Sequence, residues 1–471
     1  MLLAVVIAQT IASPSLQTSV SRIPVRLIDE SVVERLAASI RFSTINATKD
    51  PASFQDLHRH LNSSFPLIYK QIPPELVSSH SLLFTWPGKS TSAPPILLLA
   101  HLDVVPIESE TVWTHQPFSG AIADGFIWGR GTLDDKAGVL AILEAVETLL
   151  ASSFQPSQTI YLAFGHDEET GGSSGASQIA AILKSRGVAL RYVLDEGSAI
   201  TQGIVPGVAL PVALIGVAEK GYASIELSAA TPGGHSSMPP PETAIGILAA
   251  AILAVETHPM PYSLEGTPNL MFDHLGPEMS LPLRIAMANR WLFAPLVKRR
   301  LEASHTTAAL LHTTTAPTII KGGVKDNVLP AHASAVINSR IKQGDTLDSL
   351  LAHIHKVVND PRVTIRPLPK SHSKLPSPES SIRSQAYKTI ERSIREVIPT
   401  AIVAPSLVLA GTDSHHYQSL ADDVYRFRPF LLQPNDVKRI HGADERISID
   451  VYKNLIRFYV RLLTNESTAP N

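Results

Sequence analysis

Short apolar runs in this chain end on acidic or imidazole side chains, and this pattern restricts the fold more than any other feature. ILLLA runs into His101-Leu102-Asp103, and TIYLAF leads through Gly165 and His166 to Asp167-Glu168-Glu169. RYVL ends in Asp195-Glu196, while Gly129-Arg130-Gly131-Thr132-Leu133-Asp134-Asp135-Lys136 opens a helix. Short apolar runs alternating with helical patterns mark an α/β sheet. Open sheets of this kind gather ligands beyond the carboxyl ends of their strands. The acids and imidazoles are therefore expected to converge at one end of a sheet.

The rest of the chain falls into segments. The ranges 136–150 and 175–186 read as helices, the second closed by Gly187. Near Ala218 the pattern changes, because residues 222–228 alternate apolar and polar as a strand with one wet face does. A helix is expected at 243–256, then a long irregular stretch from 258 to 315 in which only 283–301 looks helical. Strands follow at 318–322, 333–341 and 363–365, with a helix at 347–358. This order predicts a compact α+β unit inserted into an α/β domain. The Pro/Ser-rich segment 367–381 reads as a linker, and amphipathic helices are expected from Ile382 and over 448–464. The expected division is 1–21, a signal-like or anchor-like segment; 22–218, a first part of the catalytic domain; 219–367, the insert; and 368–471, the second part.

Composition narrows the chemistry. The 471 residues contain no cysteine, which excludes disulfides and thiolate sites, so any metal is held by histidine and carboxylate. A formal net charge of −2 gives no basic surplus for nucleic acid. Residues 2–11 are apolar but too few to span a bilayer, which needs about 20. They resemble the apolar part of a secretory signal without its basic start. Sequons at Asn46, Asn62 and Asn465 point the same way, towards a secreted or vacuolar protein and possible glycosylation. Should the first segment not be a signal, the location is cytoplasmic.

Imidazole and carboxylate ligands suit Zn²⁺, and a carboxylate bridging two ions is the usual two-metal arrangement. Such a pair acidifies water and polarises a carbonyl. A further carboxylate must then move the proton to the leaving amine, and adjacent Glu168 and Glu169 can divide base from ligand. Asp103, two residues past His101, is placed to orient that imidazole. Taken singly, each feature has a plainer explanation. Glu168-Glu169 fits a solvated first turn, Asp134-Asp135 a helix N-cap, and Asp195-Glu196-Gly197 a turn. None of these explains why all fall at strand ends. A rival chemistry is offered by Gly171-Gly172-Ser173-Ser174-Gly175, which matches the G-x-S-x-G nucleophile elbow. Ser173 lies well past the preceding strand, however, where that elbow needs the serine at once. A third possibility, a binding protein that has lost its metals, is opposed by the filled ligand positions.

In family order and at similar spacing occur His101-Leu-Asp103, Arg130-Gly-x-x-Asp134-x-Lys136, Glu168-Glu169-x-Gly-Gly, Asp195-Glu-Gly, Gly234-His235-Ser-Ser and His441-Gly442. The set resembles the di-zinc metallopeptidases of family M20, which include aminoacylases, dipeptidases and Gly-X carboxypeptidases. Gly411-Thr412-Asp413-Ser414 places it nearest the Gly-X carboxypeptidase and N-fatty-acyl-amino-acid hydrolase branch. The resemblance implies a zinc-exopeptidase-like α/β catalytic domain with an inserted α+β lid that often dimerises. It implies two zinc ions per subunit, with His101 and Asp195 on one, Glu169 and His441 on the other, and Asp134 bridging. Glu168 would be the general base, Asp103 the orienting acid, and His235 a carbonyl-polarising group that in many members acts across a dimer. Asn327 and Arg340 would contact the carboxylate of the substrate, a peptide or an N-acyl amino acid, and Asp413 would also bind substrate. Hydrolysis of an amide bond next to a free carboxylate is implied, as in a carboxypeptidase, or alternatively hydrolysis or synthesis of N-acyl amino acids. One departure stands out: close relatives carry arginine where this chain has His415, which exchanges a fixed cation for a titratable ring.

Overall fold

The strand Ile96–His101 shows how the sequence builds the fold. Its side chains are apolar without alternation because both faces are covered: Ile96 and Leu98 join one buried core, Leu97 and Leu99 another. In the computed structural model, which describes residues 1–21, 23–24, 26–368 and 373–468, this strand lies at the centre of a ten-stranded mixed sheet. It runs parallel to Ile160–Gly165 on one side and Leu190–Asp195 on the other. Ala421–Arg426, from far down the chain, continues the parallel set beside Leu190–Asp195. The helices Lys136–Ala151, Gln385–Val397 and Ile449–Thr468 contribute to the first core, and Ala176–Ser185 to the second.

A second, four-stranded antiparallel sheet has the order Thr314–Gly322, His332–Ile341, Gly221–Ala230 and Val363–Pro367. Ala223, Ile225 and Leu227 point to one buried face, as period-two patterning requires, and meet the helices Ala244–Thr257 and Leu347–Val358.

The stretch from 258 to 315 is not irregular. It holds four helices, Thr267–Leu275, Leu281–Ala288, Arg290–Glu302 and His305–Leu311. They are short, with Gly276 closing the first, Pro282 opening the second and Pro295 inside the third, which weakens any helical period. Their apolar side chains bury against Val208, Val212, Ile402 and Ala404. Of the proposed linker, residues 369–372 lie outside the described residues. Lys374, Ser377 and Ser380 are tied by backbone hydrogen bonds to Tyr222, Glu219 and Val217. The apolar start forms the helix Leu2–Ile11, which rests on the insert through Val6 and Thr10. Among the described residues no helix is long and apolar enough to cross a membrane. Asn465 is buried, and its amide donates to Ser393 and Glu396, so this sequon is closed to glycosylation.

Candidate metal centre

Register places the site. His101 pairs with Gly165 across parallel strands, so the residues that follow each strand emerge on the same edge of the sheet. There His101 Nε2 lies 2.8 Å from Asp134 Oδ1 and 3.2 Å from Glu196 Oε1. Asp134 turns its other oxygen to His441, at 3.0 Å from Nε2, and Glu169 Oε2 stands 3.3 Å from the same nitrogen. These are two three-residue groups able to hold a cation, each with donor atoms within 4.8 Å of one another, and Asp134 belongs to both.

The donor set fits divalent metal ions. The second oxygen of Glu169, Oε1, is buried with no hydrogen-bond partner, an expensive arrangement unless a cation faces it. Nδ1 of His101 lies 3.0 Å from the Asp103 carbonyl oxygen, which fixes the proton there and leaves Nε2 as the donor towards Asp134. Burial opposes charge on His101, yet the surrounding carboxylates Glu196, Asp103 and Asp134 hold its pKa well above the usual histidine value. Hydrogen bonds to Asp134 and Glu169 push His441 up to about 10. In the metal-free chain these protons occupy the place a cation takes.

Several carboxylates near the site hold loops in place. Asp103 accepts the backbone N–H groups of Glu168 and Glu169, both at 3.1 Å. Asp167 does the same for Ser174 and Gly175, fixing the turn that contains Ser173. Glu445, fully buried, accepts from Gly131, Leu133 and Asp134 and pairs with Arg130, so it shapes the loop that presents Asp134. Asp195 accepts from Glu196 and Ser414. Asp195, expected beside His101, is thus engaged with backbone N–H groups here, and Glu196 is the carboxylate that stands 3.2 Å from His101 Nε2. Successive side chains leaving a strand point to opposite sides, and the neighbour faces the cluster. Beneath the cluster, Arg428 pairs with Asp135 at 2.6 Å, and both are fully buried. Asp135 occupies the N-cap position of the Lys136–Ala151 helix without capping it by its side chain. In that helix's first turn Gly138 has no room for a side chain, since an added Cβ would stand 1.3 Å from Arg428 Nη1.

The cluster opens into a cavity of about 1130 Å³ between the two sheets, lined by Asp134, Glu168, Glu169, Glu196 and His441. Burial pushes the Glu168 carboxyl well above the usual carboxylate range, against the pull of His101 and with help from Asp413. Asp413 and Arg340 also line the cavity, and Arg340 lies over the Tyr222 ring at 5.0 Å. His415 and Lys374 stand together on its wall, Lys374 Nζ being 3.3 Å from His415 Nδ1. That ring nitrogen is also 2.6 Å from the Thr412 carbonyl oxygen, so it carries the proton and offers the lysine no acceptor. Burial, then His416, lowers the His415 pKa to about 3, which leaves the ring neutral.

Two expected residues lie elsewhere in this chain. His235 and Asn327 are exposed and absent from the cavity wall; His235 sits on a two-stranded ribbon opposite Val328 with Nδ1 held by Ser237. Ser173 is on the rim in a turn, and among the described residues no histidine bonds its hydroxyl. The residues that sequence reasoning did not single out are Glu196, Glu445, Arg428 and Lys374. Glu196 was within reach as the neighbour of Asp195, and Glu445 as an acid four residues past His441. Nothing local marks Arg428 or Lys374.

Comparison with known proteins agrees with this geometry. The chain is 41% identical over 447 residues to "Probable carboxypeptidase S-like 2" of Dictyostelium discoideum, covering 93% of this chain and 86% of the relative. It is 40% identical over 442 residues to "N-fatty-acyl-amino acid synthase/hydrolase PM20D1.1" of Danio rerio, with 93% and 86% covered. Among solved structures, human carnosine dipeptidase 1 superposes with a TM-score of 0.66 at 13% identity, covering 93% of this chain and 96% of that one. The M20 family metallo-carboxypeptidase Sso-CP2 from Sulfolobus solfataricus gives 0.64 at 18% identity, with 94% and 100% covered. These two share the fold, a catalytic domain with an inserted one. A serine-hydrolase reading through Ser173 finds no support, and the chain is a hydrolase of the metal-dependent kind. The pattern of peptidase family M20/M25/M40 matches residues 97–465, and the chain belongs to that family.

Proposed function

We propose that the protein hydrolyses an amide bond adjacent to a free carboxylate, using two zinc ions. The observation that carries this reading is the pair of ligand groups sharing Asp134, with Glu168 beside them on the cavity wall. His101, Asp134 and Glu196 would hold one ion, and Asp134, Glu169 and His441 the other. When bound, the ions supply Lewis-acid polarisation of the scissile carbonyl and acidify water. Glu168 takes a proton from the attacking water and returns it to the leaving nitrogen. Asp103 keeps Glu168 and Glu169 in register by holding their backbone N–H groups.

The substrate carboxylate is received by Arg340 and Lys374. Both line the cavity, and among the described residues neither has a carboxylate within ion-pair distance. Lys374 supplies the cation that neutral His415 does not; burial lowers its pKa while Glu219, Glu168 and Asp413 hold it up. Asp413 lines the cavity beside them, its pKa raised by burial and by Asp195. His235 and Asn327 act in this reading from a second subunit, through a homodimer formed by the lid. Exposed Ile319, Ile320 and Val324 near that ribbon give such a contact apolar surface; sedimentation at equilibrium tests it.

A second reading is favoured by the apolar residues of the same cavity. Leu214, Met271, Leu310, Phe430 and Leu432 line it, as a fatty-acyl group requires. One panel separates the two: Z-Gly-Leu, N-acetyl amino acids, N-oleoyl-phenylalanine and their carboxyl-amidated forms, each with and without zinc. Zinc-dependent cleavage of Z-Gly-Leu marks a carboxypeptidase, and preference for the oleoyl compound marks the acyl-amino-acid activity. Equal turnover of amidated substrates would overturn both. Passage through the secretory route to the vacuole or outside is part of the proposal, resting on exposed Asn62 and on the apolar start, which in this reading stays on the chain as an anchor-like segment. A mobility shift on glycosidase treatment checks it.

A further inference from the structure

Away from the metal centre, the insert carries an apolar face that nothing covers among the described residues. It is made by three helices in mutual contact. Leu2–Ile11 is pinned to the other two by the Asn289 amide, which donates to the Val6 carbonyl and the Thr10 hydroxyl. The Trp291 indole donates to Gln9, and Arg284 donates to the Ser13 carbonyl. On the outside of this assembly Leu281 is 65% exposed, Trp291 56% and Leu296 63%, with Leu3, Ile7 and Ile11 added from the first helix. Three large apolar residues so open on adjacent helices exceed what a scattered surface shows.

Charge goes with this face. The three helices carry Arg284, Arg290, Lys298, Arg299 and Arg300 against the single acid Glu302, in a chain whose formal net charge is −2. Arg290 pairs with Asp273, and Lys298 with Glu302 at 3.7 Å. Among the described residues Arg299 and Arg300 have no carboxylate partner, and they lie one to two turns beyond Trp291, Leu292 and Leu296 on the Arg290–Glu302 helix. Beside them is an apolar groove of about 380 Å³, lined by Tyr262, Leu264, Ala294, Pro295 and Leu311, with Lys298 on its wall.

We propose that this face seats the protein on an anionic phospholipid surface. Trp291 and the leucines enter the acyl boundary, where an indole is favoured because one edge is apolar and the N–H is polar. Arg299 and Arg300 meet the phosphates, and the groove takes part of an acyl chain. The first helix, too short to span a bilayer, lies in the plane of the interface. Leu310 and Leu311, adjacent on His305–Leu311, face the catalytic cavity and the groove respectively, so the seated insert also forms a cavity wall.

The test is flotation of the full chain with phosphatidylcholine vesicles, with and without phosphatidylserine. The protein floats with the anionic vesicles and is released by high salt, and Trp291 emission shifts to the blue. The other tryptophans are buried or half-buried, so Trp291→Phe removes the shift. Arg299→Glu with Arg300→Glu lowers the partition at least about tenfold, while cleavage of a water-soluble N-acetyl amino acid is unchanged. Wild-type protein that stays off both vesicle types with unshifted emission overturns the proposal without bearing on the catalytic reading. So does a dimer broken by Leu296→Asp, which would mean that a second copy of the chain covers this face.

Discussion

The sheet-end floor of the cavity and its lid-side wall hold their charges in different ways. On the floor, Asp103, Asp195 and Glu445 are buried and each accepts two or three backbone N–H groups, while Asp135 is locked to Arg428. On the wall, Arg340 rests on an aromatic ring and Lys374 faces a neutral histidine. The floor is preorganised, because backbone N–H groups and Arg428 hold these carboxylates in place before any substrate arrives. The wall keeps cations whose acceptors are still to come. Chemistry that requires fixed geometry sits on the first, and recognition that must admit different substrates sits on the second.

The contrast can be broken most sharply at Glu168. Glu168→Gln should lower kcat by about 10²–10⁴ while metal content, measured by mass spectrometry, stays as in the parent; loss of an ion would make Glu168 a ligand. Next comes the support of the floor. Arg428→Met leaves Asp135 buried and unpaired, at a cost of about 3–5 kcal/mol in chemical denaturation. A variant within about 1 kcal/mol of the parent would mean that the floor is not held as described. The wall should respond differently. Lys374→Ala and Arg340→Ala should each raise KM about tenfold through loss of a charge-assisted bond, with stability unchanged; a fall in kcat alone would remove both from carboxylate binding.

The smallest effect is a proton count. His101 is held above its usual value and His441 at about 10, so both rings are protonated near neutrality without metal. Stability drawn from the His441 pairs is fully present below the ordinary histidine pKa of about 6.5 and is lost as pH rises through about 10, and that drawn from the His101 pairs is likewise lost above its ordinary value. Ligation needs neutral rings, so metal uptake at pH 7.5 should release about two protons. Calorimetry in buffers of different ionisation enthalpy reads the number, and a release near zero would break the assignment of both histidines.

The strands that carry the site are legible because a strand buried on both faces must be continuously apolar, as in ILLLA and RYVL. Parity is not legible. Which of Asp195 and Glu196 turns towards His101 depends on where the strand ends, and spacing alone does not give that. Between 258 and 315 the sequence showed one helix over 283–301, where the structure has two, and missed Thr267–Leu275 and His305–Leu311, which are short and whose partners, Val212 and Ile402, are remote in sequence. The same remoteness hid Arg428, whose partner Asp135 is known only once the sheet is assembled.

The Arg130–Glu445 pair joins positions 315 residues apart. His441 and Glu445 leave the ribosome long after the segments that bear His101, Glu169 and Glu196. An emerging chain therefore has most of its sheet before it has a shaped Asp134 loop or a second ligand group. Hydrolytic competence is deferred until those distant residues have emerged, so a nascent chain that lacks them carries no finished active site.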